Sequence, residues 1–183
     1  MIIFGITGTL GAGKGTIVEY LTSKYNFEHY SVRAFLVERI EEKGLPVNRD
    51  SMVVVANELR ASQSPSYIID ELHKKAVESG KNCIIESIRT PGEVDSLRKK
   101  ENFWLIAVDA DPKVRYERIT ARKSETDNVS FDAFVENEKR EMTSSDPNKQ
   151  NLSKCIEMAD FVIDNSGSLF DLQQKVEDVL KKI

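Results

Sequence analysis

The chain has 183 residues, of which 40% are hydrophobic and 31% charged, as is typical of a soluble globular protein. This length suits one α/β domain and is short for two, so we expect a single domain over residues 1–183. The 26 Lys and Arg residues against 30 Asp and Glu give a formal net charge of -4. This balance argues against a general nucleic-acid binder and against a protein that binds anionic membranes.

The opening apolar run stops at Ile6 and lacks a basic leader, so we expect neither a signal peptide nor a membrane span, and a cytoplasmic location. Apolar runs and helical patterns then alternate along the chain. Strands are predicted at 2–7, 28–31, 82–86, 103–109 and 161–164. Helices are predicted at 14–25, 32–43, around 52–59, around 68–76, 91–99, 112–122, 130–142, 152–159 and from 169 onward. This alternation predicts an α/β fold with a five-stranded parallel sheet covered by helices on both faces.

Two further features complete the pattern. Cys83 and Cys155 have no close-spaced partners, so we expect two buried, reduced thiols rather than a zinc site. Residues 123–151 carry helices, loops and many charges between two predicted strands. Such an excursion from the sheet predicts a mobile lid, at about 122–150.

A glycine-rich loop follows the first predicted strand and opens the first helix, with the sequence Gly8-Thr9-Leu10-Gly11-Ala12-Gly13-Lys14-Gly15-Thr16. Glycines allow such a loop to turn its backbone N–H groups inward around phosphate oxygens. The helix start adds its positive dipole end, and Lys14 adds a full positive charge. We therefore expect phosphate binding by Gly8, Leu10, Gly11, Ala12, Gly13, Lys14, Gly15 and Thr16.

The run Gly-Ala-Gly-Lys-Gly-Thr resembles the phosphate loop of adenylate kinases and uridylate–cytidylate kinases, which are nucleoside monophosphate kinases. The usual motif has Ser or Thr directly after the lysine, whereas Gly15 stands there and Thr16 follows. The resemblance implies a P-loop kinase fold, ATP and Mg²⁺ as cofactors, and a magnesium-side role for the Thr16 hydroxyl.

The third predicted strand ends in Glu86-Ser87-Ile88-Arg89-Thr90, which resembles the adenylate kinase run Asp-Gly-Phe-Pro-Arg-Thr with one residue fewer. The resemblance implies that Glu86 holds a magnesium-bound water and that Arg89 grips the phosphate of the acceptor. Strand ends of a parallel sheet meet the ligand crevice, where a carboxylate suits a hard cation and arginine suits phosphate. The alternative is a solvated salt bridge between Glu86 and Arg89.

Arg115, Arg118 and Arg122 fall at i, i+3 and i+7 of a predicted helix and share one face. The run Glu-Arg-Ile-Thr-Ala-Arg resembles the hinge into the lid of adenylate kinases, and Arg140 resembles the arginine of the return arm. The resemblance implies that Arg118, Arg122 and Arg140 contact the transferred phosphoryl group, together with Lys14 and Arg89. The alternative is an ordinary basic helix face.

The acceptor is expected to bind to residues 31–80, where the resemblance is weaker. Adenylate kinases carry an Asp and an Arg in the helix after the second strand, and here only Arg33 or Arg39 could substitute. The polar cluster around Asn57 and Arg60 could also face the acceptor, although a solvent-facing helix flank is an equal alternative. The expected acceptor residues are Arg33, Asn57, Arg60 and Arg89.

Three longer segments, at 57–60, 87–94 and 159–165, resemble a family of small P-loop proteins labelled adenylate kinase-related, dephospho-CoA kinase-like or deoxynucleotide kinases. Some members resemble modules attached to deoxycytidylate deaminases, which implies association with such a module. The resemblance implies small-molecule nucleotide substrates and a role in nucleotide metabolism, and leaves the acceptor open.

The sequence favours a nucleoside or deoxynucleoside monophosphate as acceptor. A hydroxyl acceptor, such as dephospho-CoA, generally needs a carboxylate that orients or deprotonates it, and no aspartate precedes Asp50. A phosphate acceptor is already ionised and needs only cations. The sequence is also compatible with a nucleotide-binding regulatory module that has little catalysis. A GTPase switch is disfavoured, because 148–151 lacks the final Asp of Asn-Lys-x-Asp.

Overall fold

The computed structural model of the chain describes residues 1–122 and 129–183, and part of the predicted lid, 123–128, lies outside the described residues. Its strands are β1 (Ile3–Gly8), β2 (Glu28–Ser31), β3 (Cys83–Glu86), β4 (Phe103–Asp109) and β5 (Phe161–Asp164). They form one sheet in the order β2-β3-β1-β4-β5, with every neighbouring pair parallel. The predicted α/β fold with a five-stranded parallel sheet is therefore confirmed.

The helices lie within a few residues of the predicted bounds because most of them begin at a local capping signal. Ser31, Asn48, Ser130 and Ser168 each accept a hydrogen bond from a backbone N–H three residues later. The helices are α1 (Lys14–Tyr25), α2 (Val32–Glu42), α3 (Arg49–Ser62), α4 (Tyr67–Ser79), α5 (Pro91–Arg98), α6 (Pro112–Ala121), α7 (Phe131–Met142), α8 (Leu152–Glu157) and α9 (Leu169–Leu180).

Both faces of the sheet are buried, as a parallel sheet requires. Phe4 and Ile84 belong to a cluster with residues of α1 and α9, whereas Ile3 and Ile85 belong to a cluster with residues of α2, α3, α4, α5 and α8. The two cysteines are free and buried, as predicted. Burial raises the pKa of each thiol to about 12, so both stay protonated at neutral pH.

The sheet places the glycine-rich loop and the third-strand motif side by side. Because β1 lies between β3 and β4, the loop after β1 is flanked by the ends of both neighbouring strands. In open parallel sheets the crevice at the carboxyl ends of the strands is where ligands bind. Over the described ranges, no helix has the length and apolar character needed to cross a membrane.

Candidate active site

The glycine-rich loop has a backbone that side chains would obstruct. Gly11 and Gly13 have φ values of 79° and 100°, in the left-handed region. A Cβ at Gly11 would lie 2.6 Å from the carbonyl oxygen of Arg115, and one at Gly13 would lie 2.2 Å from Nδ2 of Asn165. Gly13 is also the N-cap of α1, so the loop leads directly into a helix N-terminus, where backbone N–H groups attract anions.

Hydrogen bonds of three side chains fix this loop. Thr9 belongs to the loop itself, whereas Arg115 and Asn165 come from the second half of the chain. Thr9 Oγ1 donates a hydrogen bond of 2.6 Å to Asp109 at the end of β4. Asn165 Nδ2 donates to the carbonyl oxygen of Ala12 at 2.8 Å, and Arg115 Nη1 donates to that of Leu10 at 3.3 Å. Because Asn165 and Arg115 are buried, these contacts hold the loop in place before any phosphate arrives.

Lys14 lies at the centre of the charged groups. Its ammonium donates to the carbonyl oxygens of Gly8 and Thr9, at 3.0 and 2.8 Å. Burial, together with the nearby positive charges of Arg89 and Arg122, lowers the pKa of Lys14 to about 8, although Glu86 and Glu141 oppose this effect. A phosphate beside Lys14 would oppose both causes and favour its charged form.

Glu86 is the acidic group next to Lys14. Burial opposes its ionisation, but a hydrogen bond from His29 and the charge of Lys14 outweigh burial, so its pKa lies below its ordinary value. The distance between His29 Nε2 and Glu86 Oε2 is 3.4 Å. Glu86 is therefore ionised at neutral pH, and with the hydroxyl of Thr16 it supplies the hard oxygen donors that Mg²⁺ prefers. The donor chemistry of these two residues is therefore the kind that suits a magnesium ion, with Glu86 expected to act through a bound water.

A cavity of about 670 Å³ extends from the glycine-rich loop to α2 and α3. Its wall has two kinds of residue. The apolar residues include Val32, Leu36, Val47, Met52, Val53 and Ala56. The cationic residues are Lys14, Arg33, Arg49, Arg60, Arg89 and Arg122. This combination suits a ligand that has a flat apolar part and several negative charges.

The end of β3 presents Arg89 to this cavity. The backbone N–H groups of Arg89 and Thr90 donate to Glu93 Oε2 at 2.8 and 3.1 Å. The other oxygen of Glu93 accepts two hydrogen bonds from Arg60 of α3, at 2.8 and 3.1 Å. Ser87, which lines the cavity, has a φ of 73°, a left-handed conformation that non-glycine residues rarely adopt outside functional sites.

The guanidinium of Arg89 points into the same network of charges. Its Nη1 donates to Glu141 Oε2 at 2.8 Å and to Gln150 Oε1 at 2.9 Å. The other carboxylate oxygen of Glu141 pairs with Arg49. The described residues contain no salt bridge between Glu86 and Arg89, since Glu86 pairs with His29 instead.

The cavity brings together many of the residues that the sequence singled out. Those lining it are Leu10, Gly11, Gly13, Lys14, Gly15, Arg33, Arg60, Glu86, Arg89 and Arg122. Those outside its lining are Gly8, Ala12, Thr16, Asn57, Arg118 and Arg140. Arg118 Nη2 donates to the carbonyl oxygen of Asn165 at 2.8 Å, while its buried Nη1 has no hydrogen-bond partner in the described part of the chain. Arg140 is exposed on α7.

Sequence reasoning missed several residues that shape the site. Arg49, Glu141 and Gln150 line the cavity, and Asn165 holds the loop. One signal for Glu141 was available, because Phe134, Glu138 and Glu141 fall at i, i+4 and i+7 of α7. Acidic residues that continue an apolar helix face are expected to meet cations inside the fold rather than solvent.

Comparisons with known proteins agree with the fold described above. An AAA domain family model matches residues 5–144. The UPF0200 protein MMP1282 of Methanococcus maripaludis is 30% identical over 186 residues, covering 100% of this chain and 98% of that relative. Two solved structures share the fold. A gluconokinase from Sinorhizobium meliloti has a TM-score of 0.60 at 14% identity, covering 99% of this chain and 92% of that chain. A shikimate kinase from Bacteroides thetaiotaomicron has a TM-score of 0.59 at 12% identity, covering 98% of each chain.

Proposed function

Because the chain belongs to the UPF0200 family and carries an AAA domain with a P-loop kinase fold, we propose that it transfers a phosphoryl group from ATP to a nucleoside or deoxynucleoside monophosphate. P-loop kinases use ATP with Mg²⁺.

The observation that carries the proposal is the composition of the cavity. The glycine-rich loop lies at one end and the apolar wall of α2 and α3 at the other, with Arg33, Arg49 and Arg89 also in its lining. A planar base would bury apolar surface against that wall, and arginines recognise phosphate through paired N–H donors. Because a phosphate acceptor is already ionised, cations are sufficient to bind and orient it.

The residues suggest a division of roles. Lys14 would stabilise the charge of the transferred group, and Arg122 would approach it from another side of the cavity. Arg89 would orient the phosphate of the acceptor, and Arg33 would assist from α2. When bound, Mg²⁺ neutralises part of the phosphate charge, and Thr16 and Glu86 are the side chains that would hold it. The predicted lid at 122–150, where α7 lies, would exclude water once both substrates are present.

A second candidate is transfer to a hydroxyl group, as the names of the gluconokinase and the shikimate kinase indicate for those proteins. Glu141 favours it, because a carboxylate in the cavity could accept the proton of a hydroxyl. Both oxygens of Glu141, however, already accept hydrogen bonds from arginines, so a hydroxyl acceptor would have to share a carboxylate that two guanidinium groups hold. Dephospho-CoA belongs to this class of acceptors.

The deciding experiment is an ADP-release assay with ATP and Mg²⁺ against all ribo- and deoxynucleoside monophosphates, with dephospho-CoA, gluconate and shikimate as hydroxyl acceptors. We expect turnover with at least one monophosphate. Turnover with hydroxyl acceptors alone would replace the proposal by the second candidate. Nucleotide binding without turnover on any acceptor would favour a regulatory module.

Two substitutions test the roles within the same assay. Lys14→Ala is expected to lose turnover by several orders of magnitude with the fold retained. Arg89→Ala is expected to raise the KM of the acceptor, with a loss of about 2–4 kcal/mol in kcat/KM, because a charged phosphate contact is removed. A rise in the KM of ATP alone would show that Arg89 is assigned to the wrong substrate.

A further inference from the structure

The carboxylate of Glu141 joins two arginines that come from different parts of the fold. Arg49 is the first residue of α3, and Arg89 follows β3. Each pairs with a different oxygen of Glu141, Arg89 at 2.8 Å, and all three residues line the cavity. Within the described ranges, Glu141 is the only acidic residue that forms a salt bridge with either arginine.

This arrangement is one that binds an anion. Two guanidinium groups converge on a single acidic group from separate elements, and they carry two positive charges against one negative charge. Guanidinium groups bind phosphate through the same N–H donors that bind carboxylate. The side chain of Glu141 is 15% exposed, so the interaction is screened only in part by solvent.

We propose that Arg49 and Arg89 form an anion clamp for the acceptor, and that Glu141 is a built-in occupant which the phosphate of the acceptor displaces. The acceptor class rests on the proposed function, and the clamp adds the means of selecting it. A phosphate monoester carries about 1.5 to 2 negative charges near pH 7, whereas a carboxylate carries one. Phosphate therefore outcompetes Glu141, while a neutral acceptor or a single carboxylate does not.

Arg89 of the clamp and its occupant Glu141 differ in how firmly they are held. The backbone of Arg89 is fixed by Glu93, which is fully buried and ion-paired with Arg60. The Nη1 of Arg89 that pairs with Glu141 also donates to Gln150 Oε1 at 2.9 Å. Glu141, in contrast, lies in the last turn of α7. Displacement of Glu141 therefore leaves Arg89 in place for the incoming phosphate.

The first test compares Glu141→Gln with Glu136→Gln, which removes the same charge from an exposed position of the same helix. For Glu141→Gln we expect the KM of the best monophosphate to fall roughly five- to twentyfold, because no charged competitor remains, with the KM of ATP unchanged. Glu136→Gln should leave both constants unchanged. A higher acceptor KM in Glu141→Gln, or a large loss of kcat alone, would overturn the proposal, since Glu141 would then position the arginines or act as a base.

The second test requires no turnover and so separates the clamp from the proposed function. Inorganic phosphate is titrated by ³¹P NMR into protein saturated with Mg²⁺ and a nonhydrolysable ATP analogue. Relative to the unsubstituted chain, Glu141→Gln should bind phosphate several times more tightly and Arg49→Ala several times more weakly. If the assay finds no acceptor while these affinities still differ, the acceptor class is wrong and the clamp stands. Equal affinities in all three proteins would overturn the clamp.

Discussion

At the residue scale, the charged form of Lys14 is less stable in the empty site than in a site that holds phosphates. Because the pKa of Lys14 is lowered to about 8, the ligand-free protein loses this charge above that pH. Bound phosphates favour the charged form, so nucleotide binding is accompanied by proton uptake and weakens as the pH rises above about 8.

The free energy of unfolding of the ligand-free protein changes with pH in the opposite direction. Between pH 8 and the ordinary pKa of 10.5, the unfolded chain binds more protons than the folded chain, so stability rises with pH.

Calorimetry can measure this proton uptake directly. Titration of ATP with Mg²⁺ at about pH 8.5, in two buffers of different ionisation enthalpy, should give uptake of a fraction of a proton. Lys14→Met should abolish the uptake, and it should also make the ligand-free protein more stable at pH 7, because a partly buried charge is removed. The same binding enthalpy in both buffers would show that Lys14 is fully charged in the empty site.

Gly13 and Gly15 provide a second prediction at this scale. At Gly13 a Cβ would meet Asn165 at 2.2 Å in a backbone with positive φ, whereas at Gly15 it would meet nothing within 4 Å. Gly15 lies in the first turn of α1. Gly15→Ala should therefore raise the free energy of unfolding by about 0.5–1 kcal/mol, the usual gain for alanine over glycine in a helix.

Gly13→Ala should lower the same free energy by at least about 1–2 kcal/mol through backbone strain alone. Urea denaturation of both ligand-free variants checks the pair, with each variant serving as the control for the other. Equal effects of the two substitutions would mean that the loop relaxes freely and is not preorganised for phosphate.

At the scale of the elements, α3 and α5 are joined by the ion pair of Arg60 and Glu93, whose side chains are 2% and 0% exposed. Removing Arg60 leaves the buried Glu93 with only the backbone N–H groups of Arg89 and Thr90, and removing Glu93 leaves the Arg60 guanidinium buried without its acidic partner. Arg60→Met or Glu93→Leu should therefore each lower the free energy of unfolding by about 3–5 kcal/mol. The double variant Arg60→Met/Glu93→Leu should recover part of that loss, because no unpaired charge remains, while the backbone N–H groups of Arg89 and Thr90 still lack the acceptor that Glu93 supplied.

Urea denaturation of the four proteins gives the coupling energy of this pair. Arg98→Met is a suitable comparison, because its partner Asp160 lies in a more exposed salt bridge of 3.1 Å. Arg98→Met should lower the free energy of unfolding by less than either single change of the buried pair. Losses below about 1 kcal/mol for both single variants would show that water or a rearrangement compensates the remaining charge.

The elements were predictable from the sequence because their signals are local. Pro91 at the start of α5, Gly80 at the end of α4 and Ser168 before α9 act through neighbouring backbone groups. The glycine-rich loop was also predictable, since its residues are consecutive and their order alone specifies the turn.

Side-chain partners were less predictable, because they come from distant parts of the chain. The sequence predicted that Arg115, Arg118 and Arg122 share one face of a helix, and the resemblance implied that Arg118 and Arg122 contact the transferred phosphoryl group. In the structure, Arg115 is buried against Leu10 and ion-paired with Glu138 of α7, and Arg118 donates to Asn165. Of these three arginines, Arg122 lines the cavity. The helical spacing was correct, but it contained no information about the acids and carbonyl groups that other elements bring to that face.

At the scale of the whole molecule, α7 connects the two ends of the cavity through charge, while Phe131 and Phe134 pack against Tyr116 of α6. Glu138 pairs with Arg115 beside the glycine-rich loop, and Glu141 pairs with Arg49 and Arg89 on the acceptor side. The buried residue of α7 is Phe134, whereas α4 buries four residues. Since local opening requires less free energy where little apolar surface is buried, α7 should open more readily than α4 in the ligand-free protein.

Substrate binding is expected to reduce this difference in local opening between α7 and α4. If residues 122–150 act as a lid, the attraction between phosphates in the cavity and its arginines outweighs the loss of the Glu141 salt bridges that the acceptor displaces, and α7 becomes more protected. Hydrogen exchange over residues 131–150, with and without a bisubstrate analogue, should show slower exchange in the complex, while α4 serves as the unchanged reference. If residues 131–150 are equally protected in the ligand-free protein and in its complex with the analogue, closure is ruled out. In that case α7 is a rigid wall of the cavity. Arg122→Ala should distinguish a closing lid from a rigid wall kinetically, because a contact made only after closure lowers kcat more than it weakens ATP binding.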